Sequence, residues 1–262
     1  MGRPARRQRR PIGGCAKAPS APASSYPGRV VGERTRAKWQ GFWALIGVLV
    51  AACLLAASAL AFVTVYKNNF NSKAGYKEVV RVGGGQKACS RDWNQKREIM
   101  AVELGKAPAV CTFKPPVQGD NSQPDHRFDA EGRILKKTAE NIRDEAYLSI
   151  AIRVGGGNRY ELRVFPKGKD YQLRRQPNGA GFPMNGSNPA IGGIGQRNLL
   201  RLLAEGNQIS AFVNGTPVAT TVDPNANEIA GAKVEFGVGN NADGKKNTAA
   251  TFDKLKLAVP DP

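Results

Sequence analysis

Residues 147–166 read YLSIAIRVGGGNRYELRVFP. Two runs rich in apolar, aromatic and β-branched residues, Tyr147–Val154 and Tyr160–Pro166, flank a Gly155-Gly156-Gly157-Asn158 turn. Side chains along a strand alternate between faces, so Tyr160, Leu162 and Val164 form an inward set and Glu161, Arg163 and Phe165 an outward one. The same signature recurs on both sides. Tyr76–Val82, Glu98–Leu104, Ala109–Phe113 and Arg133–Lys137 precede it; Tyr171–Arg175, Leu199–Ala204, Gln208–Asn214, Pro217–Val222, Ala232–Val238 and Ala250–Leu257 follow. Each run is bounded by Gly, Asn, Pro or Asp. Asn214-Gly215 is hairpin chemistry, and residues 240–244, NNADG, read as another turn. No amphipathic helix competes with these strands. The fold class is all-β, a two-sheet antiparallel jelly-roll sandwich, with Phe252 and Leu255 expected to close the last strand onto the core.

Charge organises the rest of the chain. Its 262 residues carry 39 Lys+Arg against 21 Asp+Glu, a net +18. Residues 1–41 hold ten basic side chains and one acid, Glu33, while Phe42–Tyr66, FWALIGVLVAACLLAASALAFVTVY, holds no charge. As a helix that apolar segment runs roughly 37 Å, enough to cross a bilayer core of ~30 Å. A cleaved signal peptide (Ala59-Leu60-Ala61) and a lipoprotein anchor (Val50-Ala51-Ala52-Cys53) are rival readings. The apolar run is long for the first, and no polar stretch follows Cys53 for the second. The expected organisation is a disordered basic cytoplasmic tail, 1–41, and a transmembrane helix, 42–66. A juxtamembrane linker with a β extension, 67–124, and a sandwich domain, 125–262, follow. The Arg-rich flank places the N-terminus in the cytoplasm and the C-terminal domain outside the cell membrane. The tail suits anionic lipid or serves only as a topology signal. A plain cytosolic enzyme is excluded, and no nucleic-acid partner is expected because half the excess charge sits beside an apolar segment.

Cysteine placement agrees with that topology. Cys15 and Cys53 fall on the reducing side and in the membrane, leaving Cys89 and Cys111 to form one disulfide in an oxidising compartment, worth roughly 3 kcal/mol. The single histidine, His126, is not grouped with them as a metal site would need. Catalytic motifs are missing: there is no G-x-S-x-G, no H-E-x-x-H and no phosphate-binding glycine loop. Asp129-Ala130-Glu131 is the one carboxylate pair at strand spacing, and it reads as a solvated loop. No catalytic residue, metal or cofactor is assigned; calcium has two plausible loops, Asp223-Pro224-Asn225 and Asn240–Gly244, and no site.

The order of Arg153-Val154, Tyr160–Val164, Tyr171–Arg174, Asn198–Leu202, Gly206–Ile209, Val213–Gly215 and Phe252–Leu255 resembles a concanavalin A-like lectin/glucanase domain. It is most similar to the bacterial branch that holds laminin-G-like modules and the 3-keto-disaccharide hydrolase domains. The resemblance covers about residues 125–258 and implies a jelly roll of the kind used to bind glycans or envelope components. Glucanase relatives use three carboxylates, E-x-D-x-E, on one strand; only two are present here. The outward phase of neighbouring strands holds Arg153, Glu161, Arg163, Gln172, Arg174 and Arg201, the candidate ligand-binding set, suited to anionic glycans through forked donors or simply a solvated face. The leading expectation is therefore a single-pass membrane protein displaying a non-catalytic carbohydrate- or envelope-binding domain outside the cell. A structural or signalling module for a protein partner is the alternative, and a glycoside-acting hydrolase the second.

Overall fold

A computed structural model describes residues 61–84, 89–105, 107–116, 125–177, 179, 181–229, 231–244 and 247–261. The expected tail (1–41) and the first 19 residues of the expected membrane helix (42–60) lie outside the described residues. The strands are β1 (Phe62–Asn68), β2 (Val80–Gly83), β3 (Cys89–Asn94), β4 (Ile99–Leu104), β5 (Ala107–Lys114), β6 (His126–Ile134), β7 (Ala146–Gly155) and β8 (Asn158–Phe165). Then come β9 (Asp170–Gln176), β10 (Met184–Ser187), β11 (Asn198–Glu205), β12 (Gln208–Val213), β13 (Thr216–Val222), β14 (Lys233–Gly244) and β15 (Thr248–Pro260). One short helix, α1 (Lys73–Glu78), follows β1.

These strands make two antiparallel sheets. Sheet A runs β13-β12-β11-β6-β15-β4-β3, with β1 added on β15, and sheet B runs β10-β9-β8-β7-β14-β5-β2. The predicted alternation along β8 is realised: Tyr160, Leu162 and Val164 are fully buried between the sheets. Opposite them sheet A contributes Phe128, Leu200, Leu202, Phe252 and Leu255. Burying a side chain of this size is worth about 1.5–3 kcal/mol, so this one interior supplies the main driving force for folding. Asn214 and Gly215 both take left-handed φ, 52° and 83°, as the β12–β13 hairpin turn requires.

Four expectations are corrected. Residues 62–66 are not the end of a membrane helix but the start of β1, paired with β15 from Phe62↔Pro260 to Asn68↔Leu255. Among the described residues no helix is long and apolar enough to cross a membrane. Of the expected strand Tyr76–Val82, residues 76–78 are the end of the helix Lys73–Glu78, because the Ser72 side chain accepts from the Gly75 N–H and caps the turn, and the strand starts only at Val80. The sandwich begins at Phe62 and not at residue 125, since β4 and β5 are interior strands of the two sheets. Residues 240–244 belong to β14: Asn240 is buried and donates to the Ile142 carbonyl and the Thr248 hydroxyl. The Cys89–Cys111 disulfide forms, with a Cα separation of 5.7 Å, and joins β3 of sheet A to β5 of sheet B.

Candidate functional site

The outer face of sheet B is ordered by strand register. Glu161 of β8 stands opposite Arg174 of β9, and Arg163 opposite Gln172. On the other side of β8, Ser149 and Ala151 of β7 pair with Arg163 and Glu161, and beyond them Gly237 and Glu235 of β14 continue the same rows. Small residues on the two central strands therefore lie between polar walls. Glu161 is the hub: its Oε2 is 3.0 Å from Arg163 and 3.8 Å from Arg174. Glu235, paired with Arg159 at 2.9 Å, has its carboxyl pushed upward by burial, partly offset by Arg159 and reinforced by Glu161.

Aromatic rings close one end of this face. Tyr147 packs on Phe165 with ring centroids 5.3 Å apart, and the Arg163 guanidinium sits 4.6 Å from the Tyr147 centroid. Tyr147 is fully buried, its hydroxyl makes no hydrogen bond, and burial raises its pKa against the pull of Arg163. The ring lies over Gly239, where a Cβ would come within 2.2 Å of it; a glycine is the residue that fits. Beside this end is a cavity of about 380 Å³ lined by Phe165, Asp170, Gln172, Asn185 and Ser187 from β8–β10, with Asp144 and Glu145 from the loop before β7.

The expected set of six does not form one patch. Glu161, Arg163, Gln172 and Arg174 share the outer face of sheet B. Arg201 is on sheet A, where it binds Asp129 at 2.8 Å. Arg153 is buried at the end of the sandwich with a left-handed φ of 51°. Its guanidinium donates to Asp125 at 3.0 Å and to the Gly206 carbonyl. It lines a separate cavity of about 310 Å³ with Asp125, Asn207, Pro224 and Asn227.

Alternation along β9 places the neighbouring Arg175 inside. Its Nε donates to Asp223 Oδ2 at 2.7 Å, Tyr160 donates to the same oxygen at 2.6 Å, and its NH2 reaches Glu228 at 2.7 Å. Burial alone would raise the Asp223 carboxyl; the hydrogen bonds from Tyr160, Asn225 N–H and Arg175 outweigh it and hold the group below its ordinary range. This network pins the loop after β13, and Asp223 is thereby committed to its own fold rather than to a cation.

Asp129 and Glu131 are not in a loop but on β6, a central strand of sheet A whose inward residues are Phe128, Ala130 and Ile134. Only three modest apolar positions mark that strand, so the sequence alone marks just its end, as Arg133–Lys137, whereas the strand runs from His126 and stops at Ile134. Both carboxylates face outward and each meets two cations: Asp129 binds Arg127 at 2.7 Å and Arg201, and Glu131 binds Arg197 at 3.2 Å and Lys254 at 3.1 Å. Arg197 also contacts Asp253 at 3.0 Å, and burial raises that carboxyl despite the nearby arginine.

No protein-family model matches the sequence, and no curated protein matches it. Solved structures do. A Bacillus subtilis protein of unknown function with a galectin-like fold is 14% identical with a TM-score of 0.52, covering 77% of this chain and 100% of that one. A prokaryotic β-1,3-1,4-glucanase (lichenase) from a mouse hindgut metagenome is 11% identical at TM-score 0.55, over 75% and 99%. The Bacillus licheniformis β-glucanase is 11% identical at 0.51, over 76% and 99%. These are concanavalin A-like jelly-roll sandwiches, and the fold of this chain is theirs. At such identities the likeness establishes the fold alone.

Proposed function

We propose that this chain displays its sandwich on the outer side of a cell membrane as a non-catalytic module that binds carbohydrate or another envelope component. The observation that carries the binding reading is the outer face of sheet B, where carboxylate, guanidinium and amide groups of Glu161, Arg163, Gln172 and Arg174 stand in register, with the half-buried Phe165 ring at one end. Sugar hydroxyls pair with such donors and acceptors, and sugar ring faces pack on aromatic carbon. The galectin-like and glucanase neighbours support a glycan-related role. The uncharged stretch from Phe42 to Ala61, 20 residues, still suffices for one crossing after β1 is subtracted, and its Arg-rich flank supports an inside N-terminus.

The test is a pull-down of the full chain, in detergent, with insoluble neutral and anionic polysaccharides and cell wall at two salt concentrations. Retention is expected, with a loss of about tenfold or more in R163A/R174A, since charge-assisted hydrogen bonds are worth ~1.5–3 kcal/mol each. Retention unchanged in that variant moves the site elsewhere, and no retention on any matrix favours a protein partner.

A glycoside-acting hydrolase is the second reading, favoured by one observation: Glu131 and Asp253 share Arg197, and Asp129 lies two residues from Glu131 on the same strand. Its expectation is hydrolysis of a glucan that is abolished in E131Q and in D253N. The four cations held by Asp129 and Glu131 argue instead for a charge network.

A further inference from the structure

The start of β1 and the end of β15 form a two-stranded tip. Phe62 and Val63 pair with Pro260 and Val259, Asp261 N–H donates to the Ala61 carbonyl, and the next pair, Thr64–Ala258, is already joined on the other side by Arg127 of β6. Residues 61–66 and 257–260 carry no charge. Val63 and Val65 are 45% and 42% exposed, and Thr64 between them is exposed too, so this stretch shows water both of its faces. An uncharged tip with two exposed valines is a poor solvent surface. Asp261, at its end, is the one charge there.

Cations without partners follow directly behind. Lys67 and Lys256 stand opposite each other in the β1–β15 register, an arrangement of like charges that costs stability unless something answers it. Asp129 is opposite Lys256 on β6, but it is already bound by Arg127 and Arg201, as Glu131 is by Arg197 and Lys254. Neither Lys67 nor Lys256 has an ion pair among the described residues. The two lysines and Lys254 line a cavity of about 220 Å³ on the outer face of sheet A, together with Asp129 and Glu131, whose charges are answered by the cations named above.

We infer that this tip and lysine pair form a bilayer-contact surface, with the apolar tip in the interfacial layer and Lys67 and Lys256 against anionic phospholipid headgroups. The inference rests on the membrane reading above. The uncharged Phe42–Ala61 stretch runs into β1 with no polar linker between them. Lys67 is five residues from Phe62, about 16 Å at the rise of a strand, so a tip crossing the headgroup layer keeps the lysines within reach of its charge.

The experiment uses the full chain with Cys15 and Cys53 replaced by Ser and an environment-sensitive fluorophore on V63C or V222C. It is reconstituted in phosphatidylcholine vesicles with and without phosphatidylglycerol, plus a lipid carrying a nitroxide quencher. Val222, 58% exposed at the far edge of sheet A, is the comparison site. Quenching at 63 is expected to exceed that at 222 several-fold, most strongly with phosphatidylglycerol. K67E/K256E should weaken that excess about fivefold per lysine. Extraction of the protein by alkaline carbonate overturns the membrane reading itself. A carbonate-resistant protein with equal quenching at 63 and 222 overturns this inference alone. Excess quenching that ignores both phosphatidylglycerol and K67E/K256E overturns the headgroup assignment.

Discussion

Tyr160 and Glu161 are neighbours on β8, and Arg174 and Arg175 are neighbours on β9, yet they build two different sites. On the inner side Tyr160 and Arg175 converge on Asp223 in a buried, hydrogen-bonded network. On the outer side Glu161 holds Arg163 closely and Arg174 loosely, at 3.8 Å, leaving guanidinium groups with donors to offer. The same residue types one position apart thus serve stability on one face and, on the other, make up the face proposed for recognition. What separates them is the number and closeness of partners: Asp223 is stranded inside without Arg175, whereas Glu161 keeps Arg163 when the more exposed Arg174 is removed.

Breaking that contrast most directly, Arg175→Ala should lower stability by about 3–5 kcal/mol in urea unfolding, because Asp223 is left buried and uncompensated. Gly239→Ala comes next, at about 1–3 kcal/mol, since the new methyl group drives into the Tyr147 ring; the same variant should weaken glycan retention if Tyr147 and Arg163 hold the site. The pH response sharpens the comparison by its sign. Asp223, held below the unfolded value near 3.9, contributes stability above that pH and loses it as pH falls further. Glu235 on the outer face is raised, so its contribution is present at low pH and lost as pH rises from about 4 towards neutral. Urea midpoints between pH 3 and 7 should show Asp223→Asn flattening the drop on the acid side and Glu235→Gln removing the fall towards neutrality. Smallest is Arg174→Ala, within about 1 kcal/mol of the parent, because the pair is loose at 3.8 Å and Glu161 keeps Arg163 at 3.0 Å.

Alternation made the inner and outer phases of β8 legible, together with most strands, the Asn214-Gly215 turn and the cysteine pair. What escaped has physical causes. β6 hides because Phe128, Ala130 and Ile134 are its only apolar inward signal and its charges are neutralised by distant strands. β1 hides because an uncharged run of residues reads as a membrane span until a partner strand claims its end. β7 is buried on both faces along most of its length, so nothing in its run told that Tyr147, Ser149 and Ala151 share the face of Arg163. Arg175 and Asp223, 48 residues apart, could not be paired before the fold brought them together.

β15 is the last of the described strands in chain order and lies in the middle of sheet A, where β6, β4 and β1 all pair with it. Three strands made earlier therefore wait, with open edges, for residues 248–260 to leave the ribosome. A ribosome that stops before Thr248 yields a chain whose sheet has a gap at its centre rather than a frayed margin, the kind of product that exposes apolar edges and aggregates. The cost of a truncated product is thus concentrated in thirteen residues, β15, the last of the described strands in chain order.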